Sequence, residues 1–261
     1  MRYLKDYIQA SLADGKYFFT RDEVLKALNI TKTQFKYQAY RLARNKSIFN
    51  LINGFYMIIP AEYKHLGSLP PHSIIDPLMK YLKEDYYIGL LSAAAFHGSA
   101  HQQPMVFQVF CVSQRRNIKL ERGVIEFHSK KDCNSSFIEK ISTLTGYAKI
   151  SSKEQTIIDL IQFYSVSGYM SNVANVIKEL AEEIDYERFK EVVEGEATKT
   201  ILQRAGYIVE LLGYEEMAKI IENRLKKFKT RVIDLRPDYL KDGEINHRWK
   251  LRVNDTLELE E

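Results

Sequence analysis

Two helix-start signatures stand close together near the beginning of the chain. Thr20-Arg-Asp-Glu23 and Thr31-Lys-Thr-Gln34 each place a threonine three residues ahead of a Glu or Gln. In that pattern the cap and the third helical residue satisfy each other's free backbone N–H groups. Val24, Leu25 and Leu28 fall on one face of the first helix, and the second box opens three residues after Leu28, so the chain must turn sharply between two helices. Upstream, Tyr3, Tyr7, Ile8 and Leu12 are spaced as a helix that Asp14-Gly15 ends. Downstream, Ile48–Ile52 and Phe55–Ile59 are apolar runs on either side of Asn53-Gly54. This dipeptide readily takes the positive φ that a tight hairpin turn demands at both central positions. Helix, helix, short turn, helix and hairpin together outline a winged helix-turn-helix, expected over residues 1–62.

Charge separates this head from the remainder of the chain. Residues 1–64 hold 11 Lys/Arg against 5 Asp/Glu, a net of +6; residues 65–261 hold 27 against 29, a net of −2. A basic module ahead of a near-neutral body suits a polyanion-binding head with a separate task behind it. The second helix of the expected motif carries most of the candidates. Phe35, Ala39 and Leu42 recur at core-facing spacing, which turns the other side outward. Lys32, Thr33, Gln34, Lys36 and Tyr37 at its start are candidates for base edges, Arg41, Arg44 and Lys46 for the backbone, and Tyr40 shares the same DNA-binding face. The hairpin tip offers only Asn53, because no Lys or Arg lies between Lys46 and Lys64. A solvated basic face on a protein-docking module is the competing reading, since the fold alone does not specify the ligand.

Gly67 and Pro70-Pro71 mark 63–77 as a linker, leaving a body at 78–261. Helices are expected at 77–84, 89–97, 152–164, 171–183, 186–194, 197–212 and 214–228. Strands are expected at 106–112, 117–120, 124–128, 231–235 and 248–253. The class is therefore α+β: a winged helix-turn-helix followed by a larger mixed α/β domain with a small sheet and a helical C-terminal part. The uncharged stretch 86–114 carries His, Gln and Pro and is no membrane span. With two isolated cysteines, Cys111 and Cys133, and no signal-peptide pattern at the start, the expectation is a cytoplasmic protein.

Catalytic patterns are scarce. Gly98-Ser99 is followed by no acidic residue until Glu121, which excludes a nucleotidyltransferase site, and no expected strand carries Glu-x-Lys. His97 and His101 are spaced like the histidines of a zinc helix, but Gly98 stands where the catalytic Glu would be. Ser92 and His97, five apart on one helix, do not face each other. No phosphate-binding glycine loop and no nucleophile elbow occur. No enzymatic activity, cofactor or metal is expected. A winged-helix-targeted nuclease or nucleotide-handling enzyme built on Glu121, Glu126 and Asp132 is the alternative.

The order of motifs in the body resembles a known family. Tyr87-Ile-Gly-Leu-Leu-Ser-Ala-Ala-Ala-Phe-His-Gly98, Gln103-Pro104, the strand Phe107–Phe110, Ser152-Lys-Glu-Gln-Thr-Ile-Ile-Asp-Leu160, Gln203-Arg-Ala-Gly-Tyr207, Leu235-x-Pro237 and Asn246-x-Arg-Trp-Lys-Leu-x-Val-Asn254 are similar to the blocks of AbiEi-type proteins. Gln155 departs from that pattern, which has Arg at the position. These proteins are the antitoxin and transcriptional regulator of the AbiE abortive-infection (phage-defence) toxin–antitoxin systems. The resemblance implies a winged helix that binds inverted repeats in double-stranded DNA upstream of its own operon and represses it. It also implies a C-terminal domain that counters a nucleotidyltransferase-fold toxin without a stable complex, the type IV arrangement. No catalytic residue carries over. Residues 92–98 either line a functional surface or form a core helix.

Overall fold

The computed structural model describes residues 3–99, 105–133, 137–195 and 197–259. The chain divides into two compact units: Met1–Ile88 with Met105–Asn134 and Lys140–Lys149, and Gly89–Pro104 with Ser135–Glu139 and Ile150–Glu261.

The first unit opens with α1 (Leu4–Ala13), β1 (Phe18–Thr20), α2 (Arg21–Leu28), α3 (Lys32–Arg44), β2 (Ile48–Ile52) and β3 (Phe55–Ile58). Both capping boxes form as the sequence predicts, Thr20 with Glu23 and Thr31 with Gln34. Asn29 ends α2 in the left-handed region at φ 50°, a conformation that asparagine tolerates, and α3 starts within three residues. β1 has no counterpart in the sequence reading. Its three residues pair antiparallel with β3, which pairs antiparallel with β2, giving the order β1-β3-β2. Leu4, Ile8, Phe19, Val24, Leu28, Phe35, Ala39, Ile48 and Ile58 form one buried cluster. Tyr56 lies on it, stacked on Phe19 and edge-on to Phe35. Burying each large apolar side chain there contributes about 1.5–3 kcal/mol, and that fixes which face of α3 points outward.

The expected linker at 63–77 and helix at 77–84 are not what forms. After a 3-10 turn at Ala61–Tyr63, α4 runs from Pro71 to Leu82. Pro70-Pro71 reads as punctuation in sequence, yet proline suits the first helical position, where the missing N–H has no partner to lose. Pro77 sits inside α4 and cannot donate to the Ser73 carbonyl; the Thr145 hydroxyl donates to that oxygen instead, at 2.7 Å.

The same unit holds most of a six-stranded sheet of β4 (Tyr86–Ile88), β5 (Val106–Cys111), β6 (Ile118–Leu120), β7 (Gly123–Ser129), β8 (Ile138–Thr143) and β9 (Gly146–Ser151), the start of β8 and the end of β9 being assigned to the second. Its order is β6-β7-β5-β4-β9-β8, with β5 and β7 parallel and β4–β5 and β6–β7 antiparallel. Head and most of the sheet thus share one unit, whereas the sequence-based division is drawn at residues 62 and 77. β4 and the β8–β9 hairpin have no counterpart in the sequence reading: β4 is three residues of Tyr-Tyr-Ile, and β8, Ile-Glu-Lys-Ile-Ser-Thr, does not alternate cleanly between apolar and polar. Cys111 and Cys133 are buried; burial, then Glu84, pushes the Cys111 thiol up to about 11.

The second unit holds α5 (Leu90–Phe96), α6 (Lys153–Gln162), α7 (Tyr169–Ala181), α8 (Tyr186–Gly195), α9 (Lys199–Leu211), α10 (Glu215–Leu225) and three short strands. β10 (Ile233–Asp234), β12 (Leu251–Val253) and β11 (Glu244–Asn246) lie in that order, β10 and β12 parallel. α6 is buried along nearly its whole length and packs on α5, α7, α8 and α9. The helices lie close to their predicted ranges. β11 has no sequence counterpart. Among the described residues, no helix is long and apolar enough to cross a membrane.

Candidate nucleic-acid interface

α3 buries Phe35 and Ala39 and half-buries Leu42, the three residues whose spacing predicts the inner face. Its other side exposes Lys32, Thr33, Gln34, Lys36, Tyr37, Tyr40, Arg41 and Arg44. Tyr37 is 66% exposed and Tyr40 63%. Two tyrosines standing in water on one helix face present an apolar ring and a hydroxyl to whatever docks there, as residues at recognition surfaces do. The Arg44 guanidinium lies 6.0 Å from the Tyr40 ring centre. Among the described residues no carboxylate pairs with Lys32, Lys36, Arg41 or Arg44, so their charges remain available to an anion. The first turn of α3 holds no Asp or Glu either. Its N-terminal dipole is therefore not neutralised locally and adds to the positive field of Lys32 and Lys36.

Three of the expected contact residues are engaged elsewhere or held. The Gln34 carbonyl oxygen accepts from Thr31 N at 2.8 Å, leaving the side-chain amide as its outward donor. Lys46, at φ 50° beyond the end of α3, ion-pairs with Glu121 in the β6–β7 turn. Charge pattern alone could not separate this lysine from Arg41 and Arg44, because its partner lies 75 residues away. Asn53 is exposed, but its turn is pinned: Tyr81 of α4 stacks on Phe55 at 4.6 Å and its hydroxyl donates to the Asn53 carbonyl, while Gly54 O accepts from Arg21 N. The hairpin is thus short and fixed at its tip.

Losing the cap is expected to weaken this helix measurably. Thr31→Ala removes the acceptor for Gln34 N and frees the Gln34 side chain, at a cost of about 1 kcal/mol. The expected readout is a lower urea midpoint at unchanged slope.

The carboxylates of the nuclease alternative do not converge. Glu121 holds Lys46, Glu126 faces His128 at 3.7 Å, and no group of three or more His, Cys, Asp or Glu among the described residues could hold a metal ion. His97 closes α5 and its Nε2–H donates to the Ser151 carbonyl at 2.7 Å; His101 lies outside the described residues. Ser92, Ala93 and Ala94 are buried in α5, whereas Phe96 and Gly98 are exposed, so the first half of the 92–98 block is core and its end is at the surface.

The other motif residues form framework. Ser152 caps α6, Glu154 accepts from Asp185 N, and the Thr156 hydroxyl donates to Ser152 O. Gln155 is buried and its amide donates to Asp159 at 3.0 Å, so a neutral side chain serves there. On α9, the Gln203 amide donates to the carbonyls of Arg231, Trp249 and Lys250, and Arg204 donates to those of Asp234 and Leu235. Gly206 leaves the space that the Trp249 ring fills, and Trp249 Nε1 donates to Glu210 at 2.6 Å. The Asn254 side chain accepts from Arg236 N and donates to Arg236 O and Leu240 O.

Residues 87–211 match the family model described as the AbiEi antitoxin C-terminal domain. No curated protein matches the sequence. Among solved structures, the crystal structure of the RV2827C protein from Mycobacterium tuberculosis is similar, with a TM-score of 0.65 and 13% identity over 94% of this chain and 89% of that one. At that identity the likeness speaks for the fold alone.

Proposed function

We propose, from the premise that this chain is an AbiEi-type antitoxin with its C-terminal domain at residues 87–211, that it also represses its own operon by binding DNA. Residues 1–62 act in this reading as a winged helix-turn-helix. α3 enters the major groove of inverted repeats upstream of the operon, and the β2–β3 hairpin is the wing. The observation that carries the reading is the outward face of α3, where four cations, unpaired among the described residues, flank two exposed tyrosines. In this role Thr33, Lys36 and Tyr37 approach base edges from the first half of the helix, with Lys32 and the Gln34 amide beside them. Tyr40, Arg41 and Arg44 hold the sugar–phosphate backbone. Lys46, just beyond α3, is held by Glu121, and Asn53 is the wing's one polar side chain at the tip. An antitoxin implies a toxin; its nucleotidyltransferase fold and its neutralisation without a stable complex follow from the family resemblance.

Fluorescence anisotropy tests the repressor role, using the duplex upstream of the chain's own gene and an unrelated duplex of equal length across a salt series. Tight, salt-sensitive binding that prefers the upstream duplex is expected. Equal weak binding to both would overturn the repressor role and leave the antitoxin role standing.

A further inference from the structure

We infer that the head grips both strands of the duplex, through two basic grooves on either side of α3, one of which uses residues outside the helix-turn-helix pattern. The inference rests on the DNA-binding reading above and names the backbone contacts of that site.

One groove, of about 680 Å³, lies between α3 and the small sheet and is lined by Arg21, Lys32, Lys36, Asn50 and Tyr56. The other, of about 620 Å³, lies on the opposite side of α3, between its second half and α1, and reaches the 3-10 turn beyond β3. Its cations are Lys5 of α1, Arg41 of α3 and Lys64, with Asp6 the one carboxylate. All three cations are exposed, and none is ion-paired with a described residue. The groove is held open by structure: Leu4 N at the start of α1 donates to Gln38 Oε1 on α3 at 2.7 Å, which fixes the two helices against each other.

A helix lying in a major groove about 12 Å wide has a phosphate strand on each side. With Lys32 and Lys36 turned to base edges, Arg21, which also pairs with Asp22, flanks α3 on one side, and Lys5, Arg41 and Lys64 flank it on the other, so cations face both strands of one duplex. A single-stranded nucleic acid or an acidic protein segment has one chain to offer and no use for cations on both sides. Lys5 and Lys64 are therefore phosphate contacts that charge counting along α3 misses. They come together only when α1 and the end of β3 pack beside it.

The test is duplex affinity against salt for the full chain and three variants whose folding is checked by circular dichroism. Lys5→Ala/Lys64→Ala removes two phosphate contacts, so its log–log salt slope is expected to be shallower by about 1.8. Lys16→Ala/Lys26→Ala removes the same charge outside both grooves and is expected to leave the slope unchanged. Asp6→Asn removes the carboxylate beside the strand and is expected to tighten binding. If the wild-type chain fails to bind any duplex, the DNA-binding reading falls and this inference with it. Should it bind while the Lys5/Lys64 variant keeps the wild-type slope, or while both double variants lose slope equally, the second groove alone is overturned. Equal competition by single-stranded DNA overturns it as well.

Discussion

Trp249→Ala is expected to destabilise the helical unit by about 3–5 kcal/mol. The side chain is fully buried, and it is the only tryptophan in the chain. It joins the last strand to α9 in three ways. Its ring fills the gap above Gly206, its indole N–H donates to Glu210, and its carbonyl accepts from the Gln203 amide. Truncation leaves a cavity and removes the indole donor from Glu210, which keeps its ion pair with Arg248. Gly206→Ala attacks the same contact from the other side: a Cβ at Gly206 stands 2.1 Å from the Trp249 ring, so helix or ring must shift, at about 1–3 kcal/mol. Urea unfolding followed by circular dichroism measures both, and indole fluorescence reports the Gly206 variant directly. If Trp249→Ala cost less than about 1 kcal/mol, the indole would not be holding strand and helix together.

That contact also explains which parts of this protein were legible in its sequence. The family motifs at 203–207 and 246–254 are distant along the chain but adjacent in space; Gln203, Arg204, Asn246 and Asn254 hold backbone, while Arg248, Trp249 and Arg252 hold carboxylates. Such residues are fixed by the geometry of the backbone they hold, and that makes a recognisable pattern. The head was legible for a related reason. Capping boxes and an Asn-Gly turn act within four residues, and both boxes form as read. Where an element's stability is tertiary the sequence was silent. β1 exists because β3 offers an edge, β4 because β5 pairs with it, and α4 keeps Pro77 because Thr145 supplies the missing donor. Lys46 illustrates the same limit at the candidate site: its neighbours in sequence are basic, and its partner Glu121 is on the sheet.

Substitutions along α3 are expected to separate into two classes when measured on the upstream and unrelated duplexes. Arg41→Ala and Arg44→Ala lie past the middle of the helix, where a docked helix faces phosphates. Each is expected to weaken both duplexes about equally and to make the salt slope shallower by about 1. Lys36→Ala lies one turn into the helix, where base edges come within reach. It is expected to cost about tenfold to a hundredfold on the upstream duplex and less on the unrelated one, narrowing the preference. Tyr37→Ala is expected to behave like Lys36→Ala, since a neutral ring 66% exposed offers apolar contact and a hydroxyl to base edges rather than charge. Gln34→Ala belongs to neither class. Its carbonyl closes the cap on Thr31, so the variant loses helix stability together with any base contact. Gln34→Glu keeps the cap acceptor and removes the outward amide donor, but it also places a new negative charge in the first turn. It is therefore read on preference between duplexes, because the added charge weakens both alike. The division rests on position along the helix, since all of these side chains are exposed and none has a described ionic partner. Equal losses on both duplexes for Arg41, Arg44, Lys36 and Tyr37 alike would mean that α3 lies across the backbone and reads no sequence.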